Sequence, residues 1–299
     1  MATYRYLRLG MVVLIIFLAA SIFFAARSAT CLQSTISDYY FTTAHPVFVG
    51  AICALGACLI VYQGSSNSED ALLNFSGVLA FIVALVPATR PKVCGPELPD
   101  SYDAAVGANV GALLVAAAVA VLIYLPIKAS AAGRRRTTPA ASSPAMGGWA
   151  RFFDWLQRIL PWLLAVVVLV GVVCFFAVPR AQFERHAHLT AAIAMFIGII
   201  VVVVLNAVYA SQRSDRQRRG HVWVTAVYIA IAVLMLATLV AAIFVHARYG
   251  PQWKRWGVIA LESALILEFL VYWAVQTADW WKVPDYRCVL PPEQKVAIR

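Results

Sequence analysis

Eight long apolar runs, separated by short polar loops, take up most of this chain. Each is continuous and about 17–25 residues long, the length at which an α-helix crosses the hydrocarbon core of a bilayer. In lipid only helices and closed barrels satisfy every backbone polar group. Barrel strands would alternate apolar and polar residues over segments of about ten, and no such alternation is present. The composition agrees: 62% of residues are hydrophobic and 13% charged, with mean hydropathy +0.79. A soluble domain carries roughly 45–50% apolar and about 25% charged residues. The expected fold is therefore all-α, a polytopic transmembrane helical bundle of about eight spans.

The spans read from the sequence are Tyr6–Ala26, Val47–Gln63, Ala71–Ala88, Ala104–Ile127, Ile159–Val178, Leu189–Ala210, Val222–Ala247 and Trp256–Trp280. The second and third are short and are expected to tilt less or to be partly re-entrant. The first is expected to be an uncleaved signal-anchor, because its apolar stretch exceeds the 7–15 residues of a typical signal-peptide core. A net charge of +10 would point to nucleic acid in a soluble protein. Here the basic residues follow topology instead. With the N-terminus inside, sixteen of the 24 Lys and Arg fall in cytoplasmic segments and eight in outside loops. The positive-inside rule then puts both termini in the cytoplasm, in a plasma membrane setting with no nucleic-acid partner.

The stretch Lys128–Gly148, with Arg134-Arg135-Arg136 followed by a Thr/Pro/Ala/Ser run, reads as a flexible basic linker. It divides the chain into residues 1–127, a first four-helix half, and 149–281, a second, with 282–299 as a cytoplasmic tail. Two halves of four spans share an orientation, as in a parallel repeat. Ala44-His45 before span two and Ala187-His188 before span six faintly echo one. Trp149 to Arg158 reads either as an interfacial amphipathic helix or as the start of span five. Trp253, Trp256, Trp280 and Trp281 mark the interfaces at the two ends of the last span.

Three groups of residues carry chemistry. The cysteines Cys31 and Cys94 both fall in outside loops, where an oxidising exterior permits a disulfide. Cys53, Cys58 and Cys174 lie within spans and suit packing. The first loop, Ser34 to Thr42, is too polar for a span and too aromatic for a plain linker, and is expected to form an outer cap. Ser37, Asp38, His45, His188 and His246 are its candidate residues, with His186, Glu184 and Glu262 near. These types suit a metal, but no ligand spacing accompanies them, so neither a metal nor another cofactor is expected.

The third group is intramembrane. Glu262, Glu268, Tyr272 and Asp279 lie on the last span, and an intramembrane carboxylate is a functional hypothesis by default. Glu262 and Glu268 lie about 240° apart around a helix, while Glu268, Tyr272 and Asp279 share a face. Asn74, Asn109 and Asn206 are the expected polar partners of that stripe. No Lys or Arg lies deep in a span, so Glu268 is expected to act either as interhelical glue or as a titrating site.

The run Ser34-Thr35-Ile36-Ser37-Asp38 with its aromatic continuation, the Phe48-Val49-Gly50 span and a final span holding Glu262 and Asp279 resemble uncharacterised bacterial multi-pass proteins of a domain-of-unknown-function family. More distantly the chain resembles the damage-regulated autophagy modulators, which carry a similar Ile-Ser-Asp first-loop motif but follow a six-span plan. The resemblance covers mainly residues 34–87 and 256–280, and the second group implies a lipid-linked role. Three functions follow. The first is a non-enzymatic integral membrane protein that binds lipid, a membrane partner complex or a second copy of itself. The second is a proton-coupled transporter using Glu268. The third is a lipid-modifying enzyme using Asp38, the outer histidines and Glu262.

Overall fold

A computed structural model describes residues 2–64, 66–88, 93–98, 106–120, 180–211, 218–249 and 257–281, together with positions 122, 155, 159, 166, 170, 173 and 177. The basic linker 128–148, the interfacial segment apart from Trp155, most of span five and the tail 282–299 lie outside the described residues. Six long helices are defined: α1 (Ala2–Ala29), α2 (His45–Val61), α3 (Asn67–Leu85), α4 (Arg180–Ser211), α5 (Arg218–Tyr249) and α6 (Gly257–Trp280). A short 3-10 helix, η1 (Ser37–Phe41), precedes α2. Among the described residues there is no strand, only an isolated bridge between Thr42 and Glu97. Among the described residues five helices are long and apolar enough to cross a membrane: α1, α3, α4, α5 and α6. Two shorter apolar helices, α2 and Val106–Ala120, accompany them.

The contacts divide the chain into two compact units, Met1–Pro99 with Glu184–Arg299, and Asp100–Phe183. In the second, Asn109 is exposed. Gly111 has open space where a side chain would be.

Local chemistry explains the helix boundaries. The α3 helix starts at Ser66-Asn67-Ser68-Glu69, a capping-box sequence. The Ser66 hydroxyl accepts the Glu69 N–H at 3.2 Å, so α3 begins four residues before the expected apolar edge. Helix α2 opens with Pro46 in its first turn, where the missing N–H costs nothing. The expected loop Arg180–His188 is instead the first quarter of α4, a helix of 32 residues. Arg-Ala-Gln-Phe-Glu-Arg are helix-compatible and contain no breaker, so polarity alone misplaced that boundary.

Helices α2 and α3 cross with their backbones nearly touching. A Cβ on Gly77 would sit 2.6 Å from the Gly56 carbonyl, and one on Gly56 2.8 Å from that of Gly77. Helix α3 meets α4 where Ser76 donates its hydroxyl to the Met195 carbonyl at 3.2 Å, and a Cβ on Gly198 would strike that hydroxyl. Small residues at crossings are how helices approach closely in lipid. Helix α1 packs on α2 and α6, and α5 packs on α6. A core of Leu18, Tyr39, Tyr40, Phe41, Phe48 and Ile259 holds η1 against the helix ends.

Candidate functional site

Polar groups gather at opposite ends of this bundle. The first cluster is the cap around η1. The expected disulfide is present: Cys31 and Cys94 are bonded across 63 residues of sequence. Beside it Gln33 makes two bonds to Cys94, donating to its carbonyl at 2.6 Å and accepting its N–H at 3.0 Å. The Leu98 N–H donates to the Phe41 carbonyl at 3.0 Å. Within the loop, Asp38 accepts the Thr35 N–H and the Thr35 hydroxyl accepts the Asp38 N–H, both at 3.0 Å. Burial raises the Asp38 carboxyl above its ordinary value, opposed in part by the bonds from Thr35 and Ser34. Burial likewise raises the Tyr39 phenol.

Two helices reach into this loop. Glu262 of α6 accepts the Ile36 N–H at 2.5 Å. His188 of α4 is buried, with Nδ1 2.7 Å from the Val86 carbonyl and Nε2 2.8 Å from the Ser37 hydroxyl. A carbonyl can only accept, so Nδ1 carries the proton. In the neutral ring Nε2 is then an acceptor, and Ser37 donates to it. A serine, an imidazole and a group orienting that imidazole are the parts of a nucleophile. However, the backbone donors beside Ser37, which would have to hold an oxyanion, are already turned to the Glu262 carboxylate. The arrangement is that of a clamp. His45 donates from Nδ1 to the Tyr40 carbonyl at 2.6 Å and stacks edge-on against its ring at 4.4 Å.

The second cluster lies at the other end, where α1 and α3 begin and α4 and α6 finish. Glu69 is 1% exposed and accepts from Asn206 at 2.9 Å. The same Asn206 amide donates to the Tyr272 hydroxyl at 3.1 Å, and its carbonyl accepts from Gln276 at 3.5 Å. Arg8, 7% exposed, donates to the Gln276 main-chain carbonyl at 3.3 Å and lies 5.6 Å from the centre of the Tyr62 ring. A Cβ on Gly64 would overlap the Glu69 side chain, and the Gly64 N–H donates to Asp70, so this turn is moulded around the start of α3.

The expected residues are therefore regrouped. Glu262 belongs to the cap and not to an intramembrane stripe. Tyr272 and Asn206 do meet, but around Glu69. Glu268 is half-buried and takes a bond from Thr238 of α5 at 2.8 Å, not from an asparagine. Asp279 accepts from Tyr228 of α5 at 3.5 Å. Asn74 is half-buried on α3 and joins neither cluster, while His246 is exposed on α5 and is no part of the cap. In the sequence Arg8 reads as the basic flank of the first span and Glu69 as part of a polar turn. Only the capping-box pattern at 66–69 marks Glu69. Among the described residues no group of three or more His, Cys, Asp and Glu is placed to hold a metal.

No family model, curated protein or solved structure matches the chain. Its class rests on its own architecture, that of a helical membrane protein with a disulfide-tied cap.

Proposed function

We propose that this chain is a non-enzymatic integral membrane protein that binds membrane lipid. Its eight apolar runs are spans, both termini lie in the cytoplasm and the cap faces outward. The setting is a bacterial cytoplasmic membrane, as its resemblance to bacterial multi-pass proteins implies. The observation that carries the reading is how the cap's reactive groups are used. Glu262, Ser37, His188 and Asp38 are all engaged in fixing the loop to helices or to itself. That supports a rigid binding platform over a catalytic centre. The disulfide at the cap end supports an oxidising exterior on that side. The flanks support lipid as the partner: the most apolar windows of α1 and α5 are only 17% and 28% buried by protein.

The test is lipid add-back. Detergent-purified protein stripped of lipid is expected to melt several degrees lower than untreated protein and to recover with added phospholipid, since a ligand of the native state raises its stability. A melting temperature indifferent to phospholipid sinks the proposal.

A second reading rests on Glu268. One carboxylate oxygen accepts from Thr238, while the other, Oε2, is buried with no hydrogen-bond partner among the described residues. A proton-coupled transporter would use such a group. Proteoliposomes under a pH gradient, comparing wild type with Glu268→Gln, test it, and flux that the substitution leaves unchanged rules it out.

A further inference from the structure

Helices α4 and α5 are consecutive, yet they leave a seam between them. A cavity of about 280 Å³ runs along it, nearly twice the ~150 Å³ engineered cavity that binds benzene. Val204, Ala207 and Val208 form one wall and Ile229, Ala232 and Val233 the other. The alanines on each wall, Ala207 and Ala232, leave the space. The groove opens to the surroundings of the bundle, because Val204, Ile229 and Val233 are 37%, 51% and 61% exposed. Protein interiors and their surroundings tolerate few voids, since wall atoms then lack contacts. In a bilayer the material at hand is an acyl chain.

The ends of the groove differ. At one end the walls turn polar, with Ser211, the last residue of α4, and Thr225 of α5. The Thr225 hydroxyl is buried without a hydrogen-bond partner among the described residues. From there α5 continues back to its first residues, Arg218 and Arg219. Thr225 lies seven residues from Arg218, about 10 Å along the axis. Those arginines thus stand one headgroup's depth beyond the mouth of an apolar slot. They also sit at a helix N-terminus, where the backbone favours negative charge.

We propose that the α4–α5 seam binds an anionic phospholipid, with one acyl chain in the groove and the phosphate at the Arg218–Arg219 end. The inference rests on the lipid-binding reading above and gives it a site and a headgroup charge. Each basic residue near an anionic surface favours binding, so two predict about a thirtyfold preference for phosphatidylglycerol over phosphatidylcholine.

The test is native mass spectrometry of the full chain incubated with each of these two lipids. Wild type is expected to retain phosphatidylglycerol about thirtyfold better. An Arg218→Gln/Arg219→Gln variant should keep lipid but lose the preference. An Ala207→Leu variant, which fills the groove, should lose retention of both. Equal retention of the two lipids by wild type overturns the proposal while leaving general lipid binding intact. So does a preference that survives the arginine substitutions, or a dimer mass that disappears on filling the groove, which would make a second copy the occupant. If Ala207→Leu does not fold, the arginine variant alone decides. Lipid add-back without effect on melting would instead remove the broader reading.

Discussion

At the cap, Glu262, Asp38 and His188 each bond a main-chain group, whereas at the Glu69 end Asn206 ties together the side chains of Glu69, Tyr272 and Gln276. The cause is the backbone each end contains. The cap is irregular chain, and its N–H groups have no helical partners. Beside a membrane they must be satisfied by protein, so carboxylates and an imidazole are drawn in. At the other end the helices have satisfied their own backbones. The buried polar side chains at its centre, Glu69, Asn206, Tyr272 and Gln276, pair chiefly with one another, as interhelical hydrogen bonds. One region uses polarity to make a loop rigid, the other to fix which helix lies against which.

If the cap is held as a loop, its covalent tie should matter most. Cys31→Ser is expected to cost about 4 kcal/mol by the loop-entropy account of a disulfide, measured as a drop in thermal unfolding of the detergent-purified protein that reductant reproduces in wild type. A wild type indifferent to reductant would show that the hydrogen bonds alone hold the cap. Next in size is Glu69→Ala, which leaves Asn206 with a bond short and a gap over Gly64. About 2 kcal/mol is expected from the loss of a buried hydrogen-bonded carboxylate. Glu69→Gln, which keeps an acceptor, should recover most of it. If both variants match wild type in the same melt, the far end is not organised by Glu69.

Glu262→Ala tests the cap from the helix side. It strands the Ile36 N–H and should cost about 1–2 kcal/mol. Hydrogen exchange is expected to speed up at cap amides and to stay unchanged at the Glu69 end. Exchange that accelerates at both ends would erase the distinction between them.

The smallest effect is a pH dependence. Burial raises the Asp38 carboxyl above its ordinary 3.8, so the folded protein holds that proton more tightly than the unfolded chain does. Stability from this group is then fully present below pH ~4 and falls as pH rises through the folded value. Asp38→Asn should flatten that part of the melting-temperature profile, and a profile identical to wild type contradicts it.

The helices were legible because the membrane imposes a length on each apolar run. The disulfide was legible because topology left two cysteines on one side. Helix α4 was drawn too short because its first turns are polar, and a polar stretch reads as a loop although Arg, Gln and Glu are sound helix formers. The regrouping of carboxylates was not legible. Glu262 and Glu268 look alike along one helix, and only the arrival of Ile36 at one and Thr238 at the other separates them. Glu69 was hidden by its neighbours: Ser66, Asn67, Ser68 and Asp70 read as a polar turn, and the capping-box pattern marks a helix start without saying that Glu69 is folded inward.

The Cys31–Cys94 bond makes the segment between them a closed covalent ring that holds η1, α2 and α3 and turns back at Gly64. The tie of the ring lies at the cap, and its bend lies at the far end of α2 and α3, beside Glu69. A protease that cuts the chain beside Gly64 would leave two fragments that still migrate as one chain until the bond is reduced.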